Sequence, residues 1–147
     1  MIRFETERLI CKSDLDVENG KLVESKKEKS IDILKLEPTT GEESGFVFYS
    51  KEILKLPVCH IAVVSVRGRF EVSYGVDNVN YRNQGYMTEA LNSLCDWLFK
   101  NINQEIIWAL PNGEFKEASI RVLRKCDFKE SDIENGLVWY ELRKDQV

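Results

Sequence analysis

One junction between a strand and a helix constrains the fold of this chain more than any other feature. Residues 70–76 alternate in the manner of a strand, and the segment after Gly85 carries apolar residues at helical spacing. A glycine turn that opens a helix leaves the first backbone N–H groups of the helix without partners. Those donors, the helix dipole and the fixed charge of Arg82 favour an anion such as a phosphate. The junction therefore predicts an α/β chain that binds a phosphorylated ligand.

The second half of the chain has a regular order of predicted elements. Residues 58–66 are rich in Ile and Val and predict a strand that pairs with residues 70–76 as a hairpin. The chain then continues with three predicted elements: a buried strand over 105–110, a helix over 114–125 and a last strand over 137–142. The resulting order is β-β-loop-α-β-α-β, which favours one α/β domain with a mixed sheet across residues 1–147.

The first half of the chain is less clearly patterned. Residues 8–11 predict a short strand. Residues 12–30 are polar with widely spaced apolar positions, which indicates at most one weak helix, interrupted at Asn19-Gly20. Residues 31–36 fit a strand or a helix equally well, and residues 37–44 predict a loop. The sequence gives little information about the fold of this region.

Composition narrows the class of protein and its partners. A chain of 147 residues with a formal charge of -4 lacks the basic face expected of a nucleic-acid-binding protein. No apolar run is long enough to span a bilayer, so we expect no membrane partner, and the charged start does not resemble a secretory signal. Four widely spaced cysteines form no CxxC pair, so we expect reduced thiols in a cytoplasmic protein and no metal site. The cysteines are Cys11, Cys59, Cys95 and Cys126.

Three segments resemble the GCN5-related N-acetyltransferase (GNAT) family. Residues 82–87, Arg-Asn-Gln-Gly-Tyr-Met, resemble its signature Gln/Arg-x-x-Gly-x-Gly/Ala between a strand and a helix. Residues 5–10 resemble the opening strand of the branch that contains the ribosomal-protein N-terminal acetyltransferases, and residues 117–128 resemble a helix segment of that branch. The glycine motif alone is weak, but three segments in the family's order are specific. The resemblance implies a single-domain α/β (α+β) fold with a mixed, mostly antiparallel central sheet flanked by helices.

The resemblance also implies a reaction and a cosubstrate. The family transfers an acetyl group from acetyl-CoA directly to an amine in a ternary complex, so the acceptor would be a protein N-terminus, a peptide or a small molecule. Backbone N–H groups of the glycine loop would bind the pyrophosphate, and backbone at the end of the preceding strand would meet the pantetheine arm. The residues implied for the cofactor are Val76, Asp77, Arg82, Gln84, Gly85, Tyr86, Met87 and Thr88.

Two residues are candidates for proton transfer. Glu71 matches a strand glutamate of the branch and could accept the proton of the amine, although a solvated strand glutamate fits equally well. Ser119 matches the serine of the helix segment, where relatives use it as a general acid or a CoA ligand. The alternative for Ser119 is a buried hydroxyl bonded to the carbonyl four residues back. Small enzymes of this kind are monomers or homodimers, and the sequence does not choose between them.

Three positions depart from the family's pattern. Met87 stands where the family has Gly or Ala, and Lys116 stands where many members have Asn. These two departures motivate an alternative function, a non-catalytic GNAT-like module that binds CoA or serves regulation or interaction. Asp127 replaces a Gly, and it is a residue that can adopt the left-handed conformation a Gly would supply. An unrelated dinucleotide-binding domain is disfavoured because the full Gly-x-Gly-x-x-Gly is missing.

Overall fold

An eight-stranded sheet organises the part of the chain that the computed structural model describes, which is residues 1–24, 44–52, 56–66, 68–76 and 79–146. The strands are β1 (Ile2–Glu5), β2 (Leu9–Ser13), β3 (Leu15–Glu18), β4 (Lys21–Glu24), β5 (Ser44–Ser50), β6 (Pro57–Val66), β7 (Arg69–Val76), β8 (Ile106–Ala109), β9 (Lys129–Glu134) and β10 (Leu137–Arg143). The sheet order is β1-β2-β5-β6-β7-β8-β10-β9, and β3 pairs with β4 in a separate sheet. Every pairing is antiparallel except that of β7 with β8, which confirms the mixed, mostly antiparallel sheet.

Two helices cover one face of this sheet. Helix α1 (Tyr86–Asn101) follows the glycine loop, and helix α2 (Lys116–Lys125) follows β8. The apolar stripe of α1 is buried as predicted, and it joins the strand residues in one continuous core. Burying each Leu or Phe side chain of this stripe contributes about 1.5–3 kcal/mol, so the stripe fixes α1 against the sheet. The buried stripe consists of Ala90, Leu91, Leu94, Cys95, Leu98 and Phe99.

Strand β7 separates the two faces of the sheet by the alternation of its side chains. Phe70 and Val72 are buried in the core, and Tyr74 packs against the core from the same face. Glu71 therefore projects from the opposite face. The hairpin of β6 and β7 is confirmed, with register pairs from Cys59 with Val76 to Val66 with Arg69.

The helix predicted within residues 12–30 is wrong for the described part of that range. Residues Leu15–Glu18 and Lys21–Glu24 form the β3–β4 hairpin, and residues 25–30 lie outside the described ranges. Asn19 and Gly20 have φ values of 52° and 76°. Two consecutive positive φ values define the type I′ turn that matches the twist of paired strands, so Asn-Gly joins two strands here.

Two other segments differ from the sequence expectation. Residues 5–10 do not form one opening strand, because β1 ends at Glu5 and a turn over residues 6–8 leads into β2. Strand β9 was not predicted, since its residues are mostly polar and exposed at the edge of the sheet. A charged edge strand lacks the apolar alternation by which strands are recognised in a sequence.

Candidate functional site

A cavity opens beside the last residues of β7. Strands β7 and β8 pair at the single register position Glu71 with Trp108, after which β8 ends at Ala109 and β7 continues to Val76. A cavity of about 330 Å³ lies next to this extension of β7, between the start of α1 and one side of α2. Its lining consists of Tyr74, Gly75, Val76, Tyr81, Arg82, Asn83, Gly85, Tyr86, Met87, Thr88, Phe115, Ala118, Ser119, Arg121, Val122 and Lys125.

The start of α1 presents backbone donors at this cavity. The first helical bond is donated by the N–H of Glu89 to the carbonyl of Gly85 at 3.0 Å, and Gly85 provides no side-chain cap. Within the described residues, the N–H groups of Tyr86, Met87 and Thr88 have no acceptor. Gly85 itself has a φ of 78°, a conformation that glycine adopts without strain. The loop thus leaves unpaired N–H groups at a helix start, the kind of arrangement that binds anions in proteins.

Met87 does not enlarge the loop on its ligand side. Its side chain is only 7% exposed and belongs to the apolar core cluster. The extra volume relative to Gly or Ala is therefore accommodated in the core beneath the helix. The backbone N–H of Met87 remains one of the donors at the helix start.

Three cationic side chains line the cavity. Arg82 was predicted from the sequence, and its guanidinium lies 4.6 Å from the ring centre of Phe115. Arg121 and Lys125 were not predicted. They lie four residues apart on α2, so the helical spacing places both on the side that also carries Ser119 and Ala118. That spacing was the signal in the sequence that could have identified them. Together the three charges make the cavity electropositive.

Ser119 lies where α2 meets the end of β7. It is partly buried and lines the cavity, and its N–H donates to the carbonyl of Phe115 at 3.0 Å. The hydroxyl of Tyr74 donates to the backbone carbonyl of Ser119 at 3.0 Å. Burial raises the pKa of Tyr74, so this phenol stays protonated at neutral pH. Tyr74 thereby fixes α2 against β7 beside the cavity. No hydrogen bond joins the Ser119 hydroxyl to another described residue.

Not all of the other residues implied for the cofactor line this cavity. Val76 and Thr88 line the cavity together with Gly85, Tyr86 and Met87. Gln84 does not line it, and its side chain instead donates to the carbonyl of Asn80 at 2.5 Å. Asp77 lies outside the described residues.

Glu71 lines a second cavity, on the face of the sheet opposite the helices. This cavity has a volume of about 560 Å³ and also contacts Arg69 and Trp139. The Arg69 guanidinium lies 4.0 Å and 4.6 Å from the ring centres of Trp108 and Trp139, and it pairs with Asp132 at 2.7 Å. Burial raises the pKa of Glu71, and the charge of Arg69 opposes that rise. The structure therefore does not bring Glu71 and Ser119 into one cavity, since β7 lies between them.

The groups that line the cavity at the start of α1 suit an anionic ligand such as a phosphate. Unpaired N–H groups at a helix start and three neighbouring cations are the donor set that binds phosphate in proteins. The apolar strand end at Val76 continues the cavity toward Tyr74 and Ser119. By contrast, the described residues contain no group of three His, Cys, Asp or Glu side chains that could hold a metal ion. No helix in the described ranges is long and apolar enough to cross a membrane.

Comparisons with known proteins agree with this fold. The sequence profile of the acetyltransferase (GNAT) domain matches residues 23–129. A ribosomal-protein-S5-alanine acetyltransferase from Vibrio fischeri aligns over 99% of this chain and 98% of its own, with 18% identity and a TM-score of 0.64. A GNAT-family acetyltransferase from Bacillus anthracis aligns over 98% of this chain and 99% of its own, with 19% identity and a TM-score of 0.66.

A third solved structure shares only part of its length with the chain. An aminoglycoside acetyltransferase in complex with coenzyme A and kanamycin aligns over 74% of this chain and 70% of its own, with 12% identity and a TM-score of 0.59. At such low identities the structural matches establish the fold alone. A comparison with curated proteins finds no match.

Proposed function

Because the chain belongs to the GNAT acetyltransferase family, we propose that it is an N-acetyltransferase that moves an acetyl group from acetyl-CoA to a primary amine. The observation that carries the proposal is the cavity at the start of α1, where unpaired N–H groups face three cationic side chains. Transfer is direct, within a ternary complex of enzyme, acetyl-CoA and amine. The acceptor is the N-terminus of a protein or peptide, or a small molecule.

In this proposal, the start of α1 binds the pyrophosphate of the cosubstrate. The N–H groups of Tyr86, Met87 and Thr88 donate to the phosphate oxygens, and the helix dipole adds to their attraction. Arg82, on the loop, contributes a charge that is independent of pH. The backbone at Val76, and at Asp77 beyond it, supports the pantetheine arm.

The proposed proton transfers use two residues on opposite sides of β7. Acetyl-CoA supplies an acetyl group activated as a thioester. Glu71 accepts a proton from the incoming amine, because only the neutral amine has the lone pair needed for attack. The Ser119 hydroxyl donates a hydrogen bond or proton at the leaving sulfur on the other side. The raised pKa of Glu71 suits a base, since a stronger carboxylate base takes the proton more readily.

The acceptor would approach from the cavity that Glu71 lines. That cavity borders β7 at Arg69 and Glu71, and the cofactor cavity borders the same strand farther along, over residues 74–76, on the other face, so the two substrates would meet beside β7. Two of the three structural relatives are named for different amines, a ribosomal-protein alanine and an aminoglycoside. The acceptor here therefore has to be found by testing both classes.

The test combines binding with turnover on the purified protein. Thermal unfolding with and without acetyl-CoA measures binding, and a ligand at about a hundred times Kd adds roughly 2.7 kcal/mol of stability. Release of free thiol is then followed across a panel of N-terminal peptides, aminoglycosides and small amines. Stabilisation with amine-dependent thiol release supports the enzyme. Stabilisation without release by any amine supports the non-catalytic CoA-binding module, and no stabilisation overturns both.

A further inference from the structure

The turn between β1 and β2 is joined to the start of α1 by hydrogen bonds across a long stretch of sequence. Glu89, in the first turn of α1, accepts bonds from the Arg8 backbone N–H at 2.9 Å and from the Arg8 Nε at 2.6 Å. The Thr6 hydroxyl also donates to the Glu89 carboxylate. Thr6 and Arg8 thus make contacts with α1 that the proposed reaction itself does not explain.

Arg8 continues from Glu89 to the glycine loop. Its Nη1 donates to the carbonyl of Gln84 at 2.9 Å, and its guanidinium lies 4.2 Å from the ring centre of Tyr86. A Cβ on Gly85 would lie 3.4 Å from Arg8 Nη2, so the arginine is in close contact with the turn. Tyr81 packs edge-on against Tyr86, with 5.6 Å between ring centres. One guanidinium therefore contacts the helix and the loop on both sides of Gly85.

We propose that Arg8 is a positioning residue for the cofactor loop, which orients the N–H groups of Tyr86, Met87 and Thr88 by fixing Gln84 and Glu89 at either end of the turn. The inference rests on the proposed binding of CoA at this loop. A planar guanidinium offers several donors in a fixed geometry, so it can hold a carboxylate and a carbonyl at once. A lysine at the same place would keep the charge but not the geometry.

A lysine at position 8 distinguishes the geometry of the Arg8 side chain from its charge. If Arg8 acted only as a distant positive charge, a lysine would replace it. If it orients the loop, a lysine fails, because one ammonium group cannot reproduce the bonds to Glu89 and Gln84 together. The amine site lies on the other face of the sheet, so its affinity should not change in either case.

The test compares Arg8→Lys and Arg8→Gln with the matched control Arg3→Gln. Arg3 lies in the same hairpin and forms an exposed pair with Glu5 at 3.1 Å, away from the loop. Isothermal titration measures Kd for CoA, steady-state kinetics give KM for acetyl-CoA and for the amine, and thermal unfolding reports folding. We expect both Arg8 variants to raise Kd and the KM for acetyl-CoA about tenfold or more, with the KM for the amine unchanged. The control should match the wild type.

Amide hydrogen exchange at residues 84–88 provides a measurement that does not need the ligand. We expect faster exchange there in Arg8→Lys, with unchanged exchange in the second half of α1. A variant that loses thermal stability but keeps wild-type CoA affinity would show a merely structural role and overturn the inference. Wild-type CoA affinity in Arg8→Lys would also overturn it, while leaving the proposed function intact. Failure of the wild-type protein to bind CoA would instead overturn the proposed function, and the inference with it.

Discussion

At the scale of single residues, Asp127 shows how one side chain with a positive φ accommodates the end of a helix. It has a φ of 67° directly after α2, where the family has a glycine. The N–H of Phe128 donates to the carbonyl of Leu123 at 3.0 Å, which is the closing bond of a Schellman motif. Leu123 and Phe128 are both buried, as the motif requires. Asp127 thus adopts the left-handed conformation that the sequence analysis considered accessible to it.

Replacing Asp127 with glycine should stabilise the protein. The left-handed conformation costs an L-residue with a Cβ roughly 1 kcal/mol that glycine does not incur, and the exposed carboxylate has no hydrogen bond to lose in return. We expect Asp127→Gly to raise the free energy of unfolding by about 0.5–1 kcal/mol in urea titrations. Asp127→Ala is the matched variant and should lower it. A lower stability for the glycine variant would contradict this account of the helix end.

Protonation of Glu71 should determine the acid limb of the pH profile of kcat/KM. Burial raises its pKa, with Arg69 opposing, so the carboxylate forms only as the pH rises above the ordinary value of 4.5. We therefore expect kcat/KM to increase with pH through this raised pKa. Glu71→Gln should lower kcat by about 10²–10⁴-fold and remove that limb. Ser73→Ala, on the same face of β7, should keep the wild-type profile, and an unchanged limb in Glu71→Gln would exclude Glu71 as the base.

At the scale of elements, α2 has two functional sides. One side buries Leu123 in the core, and the side toward the cavity carries Ser119, Arg121 and Lys125. The amphipathic pattern of a helix usually separates only core from solvent. Here the polar side also faces the proposed phosphate site, so we expect the charges of Arg121 and Lys125 to contribute to phosphate binding.

The charges of α2 should make CoA binding sensitive to salt. Removing both cations with Arg121→Gln and Lys125→Gln should weaken CoA binding about tenfold and flatten its dependence on ionic strength. The matched control is Arg124→Gln on the same helix, since Arg124 is absent from the cavity lining and pairs with exposed Glu130 at 3.5 Å. Calorimetry from 50 to 300 mM salt, roughly a Debye length of 14 to 6 Å, makes the comparison. Equal salt slopes in all three proteins would contradict a phosphate site between α1 and α2.

At the scale of the whole molecule, the carboxylate of Glu89 joins α1 to the turn between β1 and β2. Burial alone would raise the pKa of Glu89, but the bonds from Thr6 and Arg8, together with the charge of Arg8, lower it on balance. A carboxyl whose pKa is lower in the folded state stabilises the fold above its ordinary pKa of 4.5. That contribution is lost as the pH falls through the lowered value.

The hydrogen bonds that Thr6 and Arg8 donate to Glu89 should therefore make the free energy of unfolding depend on pH in the acid range. We expect Glu89→Gln to lower the free energy of unfolding by about 1–3 kcal/mol at pH 7, because bonds to a charged acceptor are lost. The difference from wild type should shrink below pH 4.5, where the wild-type carboxylate also becomes protonated. Glu130→Gln, at an exposed pair, should change stability by less than about 0.5 kcal/mol. A difference that stayed constant down to pH 2 would contradict the linkage.

The local features of this protein can be read from its sequence alone. The alternation of β7, the stripe of α1, the glycine turn at its start and the left-handed Asp127 all follow from patterns within a few residues. Each depends on the backbone preferences of neighbouring positions or on which side of one element is apolar. The resemblance to the GNAT family rested on the same local segments, and the family profile confirmed it.

The contacts that these features make depend on the tertiary structure. Glu89 meets Arg8 across 81 residues, and nothing in the acidic first turn of a helix names that partner. The structure likewise placed Arg121 and Lys125 beside the glycine loop, and it separated Glu71 from Ser119 by a strand. The periodicity of a sequence indicates which side of an element is apolar. Which other element packs against that side depends on the packing of the whole core. For that reason the glycine turn at the start of α1 could be predicted, whereas its contacts with Arg8 and the cations Arg121 and Lys125 beside it could not.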